Sequence, residues 1–353
     1  MKETSTKTPF FIVGCPRSGT TLLQVLMDAH PDICIPPESH IFPRFSESFD
    51  DYGDLRQNSN LILFVKDILN DEQIKLWGLK ISVSAFCSKL NERSVKGVIS
   101  RLFELYAERE GKSKWGEKTP QHAMYLKNIK ALFPESKIIH IIRDGRDVAE
   151  SLSRVLIGPK SIYGIAHRWK KYIISFQEFK KTINYNDVIE VYYENLVKNP
   201  KEELSKIFQF LGEDYSEVVQ DIPDTGRKQH YVKAATLHGS LNTSISSQKI
   251  GVFKSKFKPR EIEIFESIAG EALTGCGYSL ETYGKTHIKL KEMIVFFIED
   301  YLLRYLNKFL RPDMMTLITR QIKFEAQLRI RKFLRAMHNP NRHLVYQSLH
   351  RLK

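Results

Sequence analysis

Residues 10–23 read FFIVGCPRSGTTLL, and this stretch decides the fold. Phe10 to Val13 is an apolar run with the composition of a buried strand. Gly14 to Gly19 follows as a tight polar turn, and Thr20, Thr21, Leu22, Leu23, Val25 and Leu26 open a helix. Strand, glycine-bounded loop and helix together hold phosphates in α/β proteins. The backbone N–H groups of the loop and first helical turn point at the anion, and the helix dipole favours negative charge there. The spacing Gly14-x-x-x-x-Gly19 is that of a nucleoside-triphosphate loop, which needs Lys and then Ser or Thr after the second glycine. Here Thr20 stands in the lysine position and the cation is Arg17, inside the loop. The loop suits an anion and is poorly built for Mg-ATP.

Outward from this stretch, strand-like and helix-like segments alternate. Leu61–Ile68 and Val95–Glu108 have apolar residues at helical spacing. SKWGEKTP, residues 113–120, reads as a short strand ending in a turn, and Gln121–Phe133 as a helix closed by Pro134. KIIHII, residues 137–142, is a second apolar strand that runs into Arg143-Asp144-Gly145-Arg146-Asp147, with a helix expected over Val148–Leu156. A longer helix is expected over Ile162–Phe179, and a third strand over Val188–Tyr193. The last helix of the series covers Pro200–Leu211, with Asn199 as cap and Gly212 as stop. The alternation predicts an α/β fold: a P-loop-like, mainly parallel sheet with helices on both faces, plus a C-terminal helical extension. Such sheets bind ligands beyond the carboxyl ends of their strands, where the Gly14 and Arg143 turns both sit. Thr225 to Gln248 is rich in Ser, Thr and Lys and is expected to be a long loop or lid.

GCPRSGTTLL followed by MDAHPDI resembles the start of the sulfotransferases that use 3′-phosphoadenosine-5′-phosphosulfate (PAPS). Within them it is most similar to the tyrosylprotein sulfotransferase branch, over about Phe10 to Gly284. The resemblance implies that Arg17, Ser18, Gly19, Thr20 and Thr21 cradle the phosphosulfate. It implies that Arg143 and Ser151, in IIRDGRDVAES, hold the 3′-phosphate; a guanidinium fork suits a dianion. The resemblance also implies that Tyr193, in VYYENLVKNP, falls beside the nucleotide. Ser247, Gln248, Lys249 and Gly251 lie where the family closes over the 3′-phosphate, with Phe253 in place of the usual tryptophan. The catalytic glutamate of the branch corresponds to Glu38, 21 positions after Arg17, as general base; His40, two residues on, is its rival. By the same resemblance Lys118, in WGEKTP, is expected to stabilise the leaving phosphate together with Arg17. No metal-ligand cluster stands out, and the family needs no metal.

Hydrophobic residues make up 42% of the 353, enough to bury a sizeable core. Cys15, Cys34, Cys87 and Cys276 show no metal-type spacing and are expected to be reduced thiols. MKETSTKTPF carries no apolar run, so neither a signal peptide nor an N-terminal anchor is expected and the reading is cytoplasmic. In this the chain departs from the Golgi-anchored animal tyrosylprotein sulfotransferases. The net charge of +13 is uneven: from Lys285 to Lys353, 15 Lys and Arg stand against 5 Asp and Glu, a net of +10, leaving +3 for the first 284 residues. The expected division is therefore a sulfotransferase domain over 1–284 and a basic amphipathic tail over 285–353. In the tail, Ile294, Phe297, Ile298, Tyr301, Leu302, Tyr305 and Phe309 fall near one helical stripe, and Met314–Met337 is a second, basic stretch. Packing on the body, packing on a second copy as a homodimer, and peripheral attachment to an anionic membrane all stay open for it. No motif supports nucleic-acid binding.

The function expected is transfer of a sulfuryl group from PAPS to a hydroxyl acceptor: a peptide tyrosine, a glycan, a lipid or a small molecule. The alternatives are an ATP-dependent kinase with a degenerate phosphate loop, and a non-catalytic membrane-docking protein on the same fold.

Overall fold

Phe10–Gly14 forms β1, buried along its whole length, and it becomes the central strand of the protein. In the computed structural model, residues 8–155, 158–215, 247–283, 285–303, 319 and 322–330 are described. After β1 come α1 (Thr20–Asp28), the two-residue β2 (Ile33–Cys34), α2 (Ile41–Phe45), α3 (Asn58–Asn70), α4 (Glu72–Lys75), α5 (Val83–Ser88) and α6 (Val95–Arg109). Then follow β3 (Lys114–Lys118), α7 (Leu126–Leu132), β4 (Lys137–Ile142), α8 (Gly145–Ser153), α9 (Ile162–Lys180) and β5 (Val188–Tyr192). The rest is helical: α10 (Tyr193–Lys198), α11 (Pro200–Leu211), α12 (Phe253–Lys256), α13 (Pro259–Gly275) and α14 (Leu290–Ile298).

The five strands are parallel, in the order β2-β3-β1-β4-β5. β1 is registered to β4 from Phe10 against Lys137 to Gly14 against Ile141, so the two loops that follow start at one edge. Successive residues of a strand face opposite ways, and each face carries its own core. Phe10, Ile12, Ile139, Ile141 and Val191 pack against Leu23 and Leu26 of α1 and Ile207 and Phe208 of α11. On the other face Phe11 meets Trp115 and Phe133, and His140 stacks on Phe176 of α9. Trp169 of α9 reaches Phe265 of α13. The expected α/β architecture with helices on both faces is therefore present.

Several boundaries differ from expectation. The helix expected over Gln121–Phe133 is broken into a 3-10 turn, Pro120–Met124, and α7, because Tyr125 leaves helical geometry at φ −124° and ψ 19°. The helix after β4 starts at Gly145 rather than Val148, because the Asp144 side chain caps it by accepting the Arg146 N–H. Asn199 sits at the N-cap position of α11 without a side-chain cap bond, whereas Gly212 is left-handed at φ 70° and ends the helix as expected.

The chain divides into two compact units: Met1–His40 with Leu102–Leu310, and Ile41–Arg101 with Arg311–Lys353. The first contains the sheet. The second has its own core, in which Phe49 and Tyr52 pack on Phe64, and Phe45 packs on Phe324. Its buried Asp71 takes a two-pronged ion pair from Arg44, while Tyr52 donates to Asp67. Most of the expected lid, residues 225–246, lies outside the described residues, as do 304–318 and 331–353 of the tail. The apolar stripe of α14 does not pack on the body: Ile294, Phe297 and Ile298 are 49–68% exposed. No helix among the described residues is long and apolar enough to cross a membrane.

Candidate active site

Each of the five strands delivers a candidate residue at its carboxyl end. The Gly14–Gly19 loop follows β1, Glu38 lies four residues after β2, Lys118 is the last residue of β3, Arg143 follows β4 and Tyr193 follows β5. All belong to the sheet-bearing unit. A parallel sheet alone brings together residues so far apart in sequence on one edge.

Two arginine-bearing turns meet there. Arg17 Nε donates to Ser151 Oγ at 3.0 Å, and Arg143 Nη1 donates to the Arg17 carbonyl at 3.2 Å. Arg143 Nη2 donates to the Lys249 carbonyl at 2.6 Å, which brings the 247–251 segment to the same place. The Arg143 guanidinium also lies over the Tyr193 ring, 4.4 Å from its centroid. The segment is held by Asp147, whose carboxylate accepts the N–H groups of Gly251 (2.7 Å) and Phe253 (3.0 Å). Gly19 is required twice over: its φ is +95°, and a Cβ would stand 2.5 Å from the Tyr193 ring.

This cluster is electropositive. Burial lowers the Arg17 pKa, and the Arg143 and Arg154 guanidiniums lower it further. Lys249 is lowered by burial and then by Arg143, Arg17 and Arg154. Two buried polar groups aim at no protein atom: the Ser18 hydroxyl and Arg143 Nε have no hydrogen-bond partner among the described residues. Crowded cations and orphaned donors are costly unless an anion meets them. Cys15, in the same loop, is buried and its thiol is pushed up to about 12, so it remains a neutral packing group.

The second half of the site joins β2 to β3. Lys118 Nζ bonds the Glu38 carboxylate and lies 3.4 Å from Thr21 Oγ1. The other Glu38 oxygen is 3.1 Å from His40 Nε2. Burial opposes ionisation of Glu38, but Lys118 and His40 more than offset it and hold the carboxyl well below the usual carboxylate range. Glu38 and His40, the expected base and its rival, therefore touch each other.

A supporting network was not foreseen from the sequence. Glu117, neighbour of Lys118, is buried and accepts from Ser39 Oγ (2.8 Å) and Thr119 Oγ1 (2.5 Å), with His122 Nδ1 at 2.7 Å from its second oxygen. Burial raises its pKa, and His122 with the two hydroxyls brings it below normal. The His40 N–H donates to Thr119 at 3.3 Å. Glu117 thus clamps the loop carrying Glu38 and His40 onto the strand carrying Lys118. The only signal available beforehand was a charged residue inside the strand KWGEK. Among the described residues, the non-glycine positions with positive φ are Arg17 (77°) and His40 (52°), one in each half of the site. Strained backbone of this kind clusters where function over-determines it.

The sequence model of a family described as "Sulfotransferase family" matches residues 9–217, more than half of the chain. A putative protein-tyrosine sulfotransferase of Caenorhabditis briggsae is 30% identical over 213 residues, covering 59% of this chain and 66% of that protein. The protein-tyrosine sulfotransferase of Drosophila melanogaster is 27% identical over 217 residues, covering 59% of this chain and 39% of that protein. The chain thus spans between about two fifths and two thirds of these curated relatives. The solved structure "Sulfotransferase Domain from the Curacin Biosynthetic Pathway" superposes with a TM-score of 0.57 at 22% identity, over 77% of this chain and 98% of that one, a likeness of fold.

Proposed function

The chain belongs to the sulfotransferase family, and on that premise we propose that it moves a sulfuryl group from PAPS to a hydroxyl acceptor, leaving adenosine 3′,5′-bisphosphate (PAP). The observation that carries this reading is the junction of Arg17, Ser151 and Arg143 on one sheet edge, with Lys118 and Glu38 beside it. The orphaned Ser18 hydroxyl and Arg143 Nε fit a ligand that brings anionic oxygens.

On this reading Arg143 and Ser151 hold the 3′-phosphate, with Tyr193 beside the nucleotide. The loop Arg17, Ser18, Gly19, Thr20 and Thr21 cradles the phosphosulfate. PAPS supplies the activated sulfuryl group; the protein positions it and stabilises charge on the leaving phosphate, as in phosphoryl transfer. Lys118 and Arg17 meet that charge. Glu38 takes the acceptor proton, and His40 orients the carboxylate. Lys118 is shared: when its ammonium turns toward the leaving phosphate, Glu38 loses the neighbour that depresses its pKa and becomes a better base.

The acceptor proposed first is a tyrosine hydroxyl in a peptide, because the curated relatives carry that name. Glycan, lipid and small-molecule hydroxyls complete the test panel. Transfer of labelled sulfate from PAPS to one of these, together with a rise in melting temperature with PAP but not ATP in the absence of Mg²⁺, is the expected outcome. Stabilisation by Mg-ATP alone, with no transfer from PAPS, overturns the reading and returns the kinase.

A further inference from the structure

The helix α14 and the π-helical turn after it, Glu299–Leu303, are attached to the body by their polar groups. Arg260 of α13 bonds Glu292 through Nε (3.0 Å) and Nη2 (2.9 Å). Its Nη1 also reaches Thr286 Oγ1 at 2.7 Å and its Nη2 the His287 carbonyl at 2.7 Å. Asp300 accepts the N–H groups of Lys160 (2.6 Å) and Ser161 (2.7 Å) and the Ser161 hydroxyl (2.7 Å). Among the side chains described in this segment, Phe296 is the large apolar one that turns inward, stacking on Tyr163 at 5.8 Å.

The apolar side faces outward. Met293, Ile294, Phe297, Ile298, Tyr301 and Leu302 are 43–68% exposed on consecutive turns. A surface helix of a globular protein normally does the reverse, burying its apolar stripe and wetting its charges. A contiguous patch of this kind on an otherwise well-packed unit marks an interaction surface.

Charge selects the occupant. Lys285, Lys289 and Lys291 are exposed, whereas the nearby carboxylates of Glu292 and Asp300 are turned inward into the bonds above. Glu299, the third acidic residue of the described segment, is half-buried, so exposed lysine is the charge that this surface presents. A second copy would bring the same three exposed lysines to the contact. An anionic lipid bilayer complements both the charge and the apolar stripe, as it does for helices that lie in the headgroup region. We propose that α14 and the turn 299–303 form a docking surface for an anionic membrane, with the apolar stripe entering the headgroup boundary and the lysines meeting lipid phosphates.

The test is sedimentation of the full chain with vesicles of phosphatidylcholine alone or with 30% phosphatidylglycerol. Binding to the anionic vesicles, at least tenfold stronger than to neutral ones and weakened by 0.5 M salt, is expected. The double substitution Ile294→Asp with Phe297→Asp should cut that binding at least tenfold while leaving the melting temperature and PAP-induced stabilisation unchanged. Lys285→Glu with Lys289→Glu and Lys291→Glu should weaken it without touching the stripe. Equal binding by the Asp variant, no binding by the parent chain, or a concentration-dependent dimer in sedimentation velocity that the Asp variant abolishes would each overturn the proposal. The last would assign the stripe to a second copy.

Discussion

Arg143 and Arg146 lie three residues apart, one at the exit of β4 and one in the first turn of α8, and the fold treats them in opposite ways. Arg146 is saturated with carboxylates. Its Nε and Nη2 take Asp144 at 3.0 and 2.7 Å, its Nη1 takes Glu266 at 2.5 Å, and its guanidinium covers the Phe253 ring at 4.2 Å. Burial alone lowers its pKa, yet the two carboxylates leave it raised. Arg143 donates to two backbone carbonyls, and among the described residues no carboxylate closes an ion pair with it. Its neighbours include Arg17 and Lys249, and its Nε is buried without a partner. On the proposed reading, the stretch RDGRD holds one arginine neutralised by the protein for stability and one left for an external anion. On that reading the arginine that binds is the one with which no carboxylate among the described residues closes an ion pair.

That contrast can be broken by exchanging the outcomes of two substitutions. Arg146→Ala should cost about 3–5 kcal/mol of stability, because it strands Asp144 and Glu266 in a buried site. Urea unfolding measures this, and a loss within 1 kcal/mol would put Arg146 in Arg143's class. Next in size is Glu38→Gln, which should lower the transfer rate by about a hundredfold to a thousandfold while PAP affinity holds, as expected for a lost proton acceptor. Full turnover by this variant would move the base to His40. Arg143→Ala should weaken PAP binding about a hundredfold by calorimetry, with stability unchanged within about 1 kcal/mol. Unchanged affinity would remove it from the anion site.

The smallest effect concerns protons. Glu38's carboxyl is depressed in the folded chain, so its stabilising contribution is in place above the unfolded-state pKa of about 4.3 and is lost as pH falls through the lower folded value. Lys118→Met should shift the Glu38 titration upward, read from its carboxyl carbon by NMR. A titration that stays put would mean that Lys118 does not hold the carboxylate in solution.

Much of this was legible in the sequence where one local signal sufficed. KIIHII is β4 residue for residue, and Pro200 with Gly212 brackets α11. At the strand exits the Gly14–Gly19 turn and Arg143 were legible as well, since a glycine-bounded turn or an arginine directly after an apolar run is a local pattern, whereas Glu38, Lys118 and Tyr193 were singled out only through the family resemblance. β2 was not, because two residues, Ile33 and Cys34, carry no periodicity. α13 was missed as well: Ile262 and Ile264 alternate like a strand, and its buried face rests partly on the small residues Ala269, Gly270 and Ala272. The Glu117 clamp was illegible for a different reason. A buried carboxylate makes sense only with its partners, and Ser39 lies 78 residues away. Ile294 and Phe297 were correctly grouped on one stripe, but periodicity says which side of a helix is apolar, not which side the protein turns outward.

The strand order divides the labour. β1 is the dividing line: Arg143, Ser151 and Tyr193 follow β4 and β5 on one flank, whereas Glu38 and Lys118 hang from β2 and β3 on the other. On the proposed reading, nucleotide grip and proton handling occupy separate territories that share only the Gly14–Gly19 turn. Loops on the β2–β3 flank could then be exchanged to suit a new alcohol without rebuilding the grip on the donor. A sheet wired in this order is a natural chassis for one donor and many acceptors.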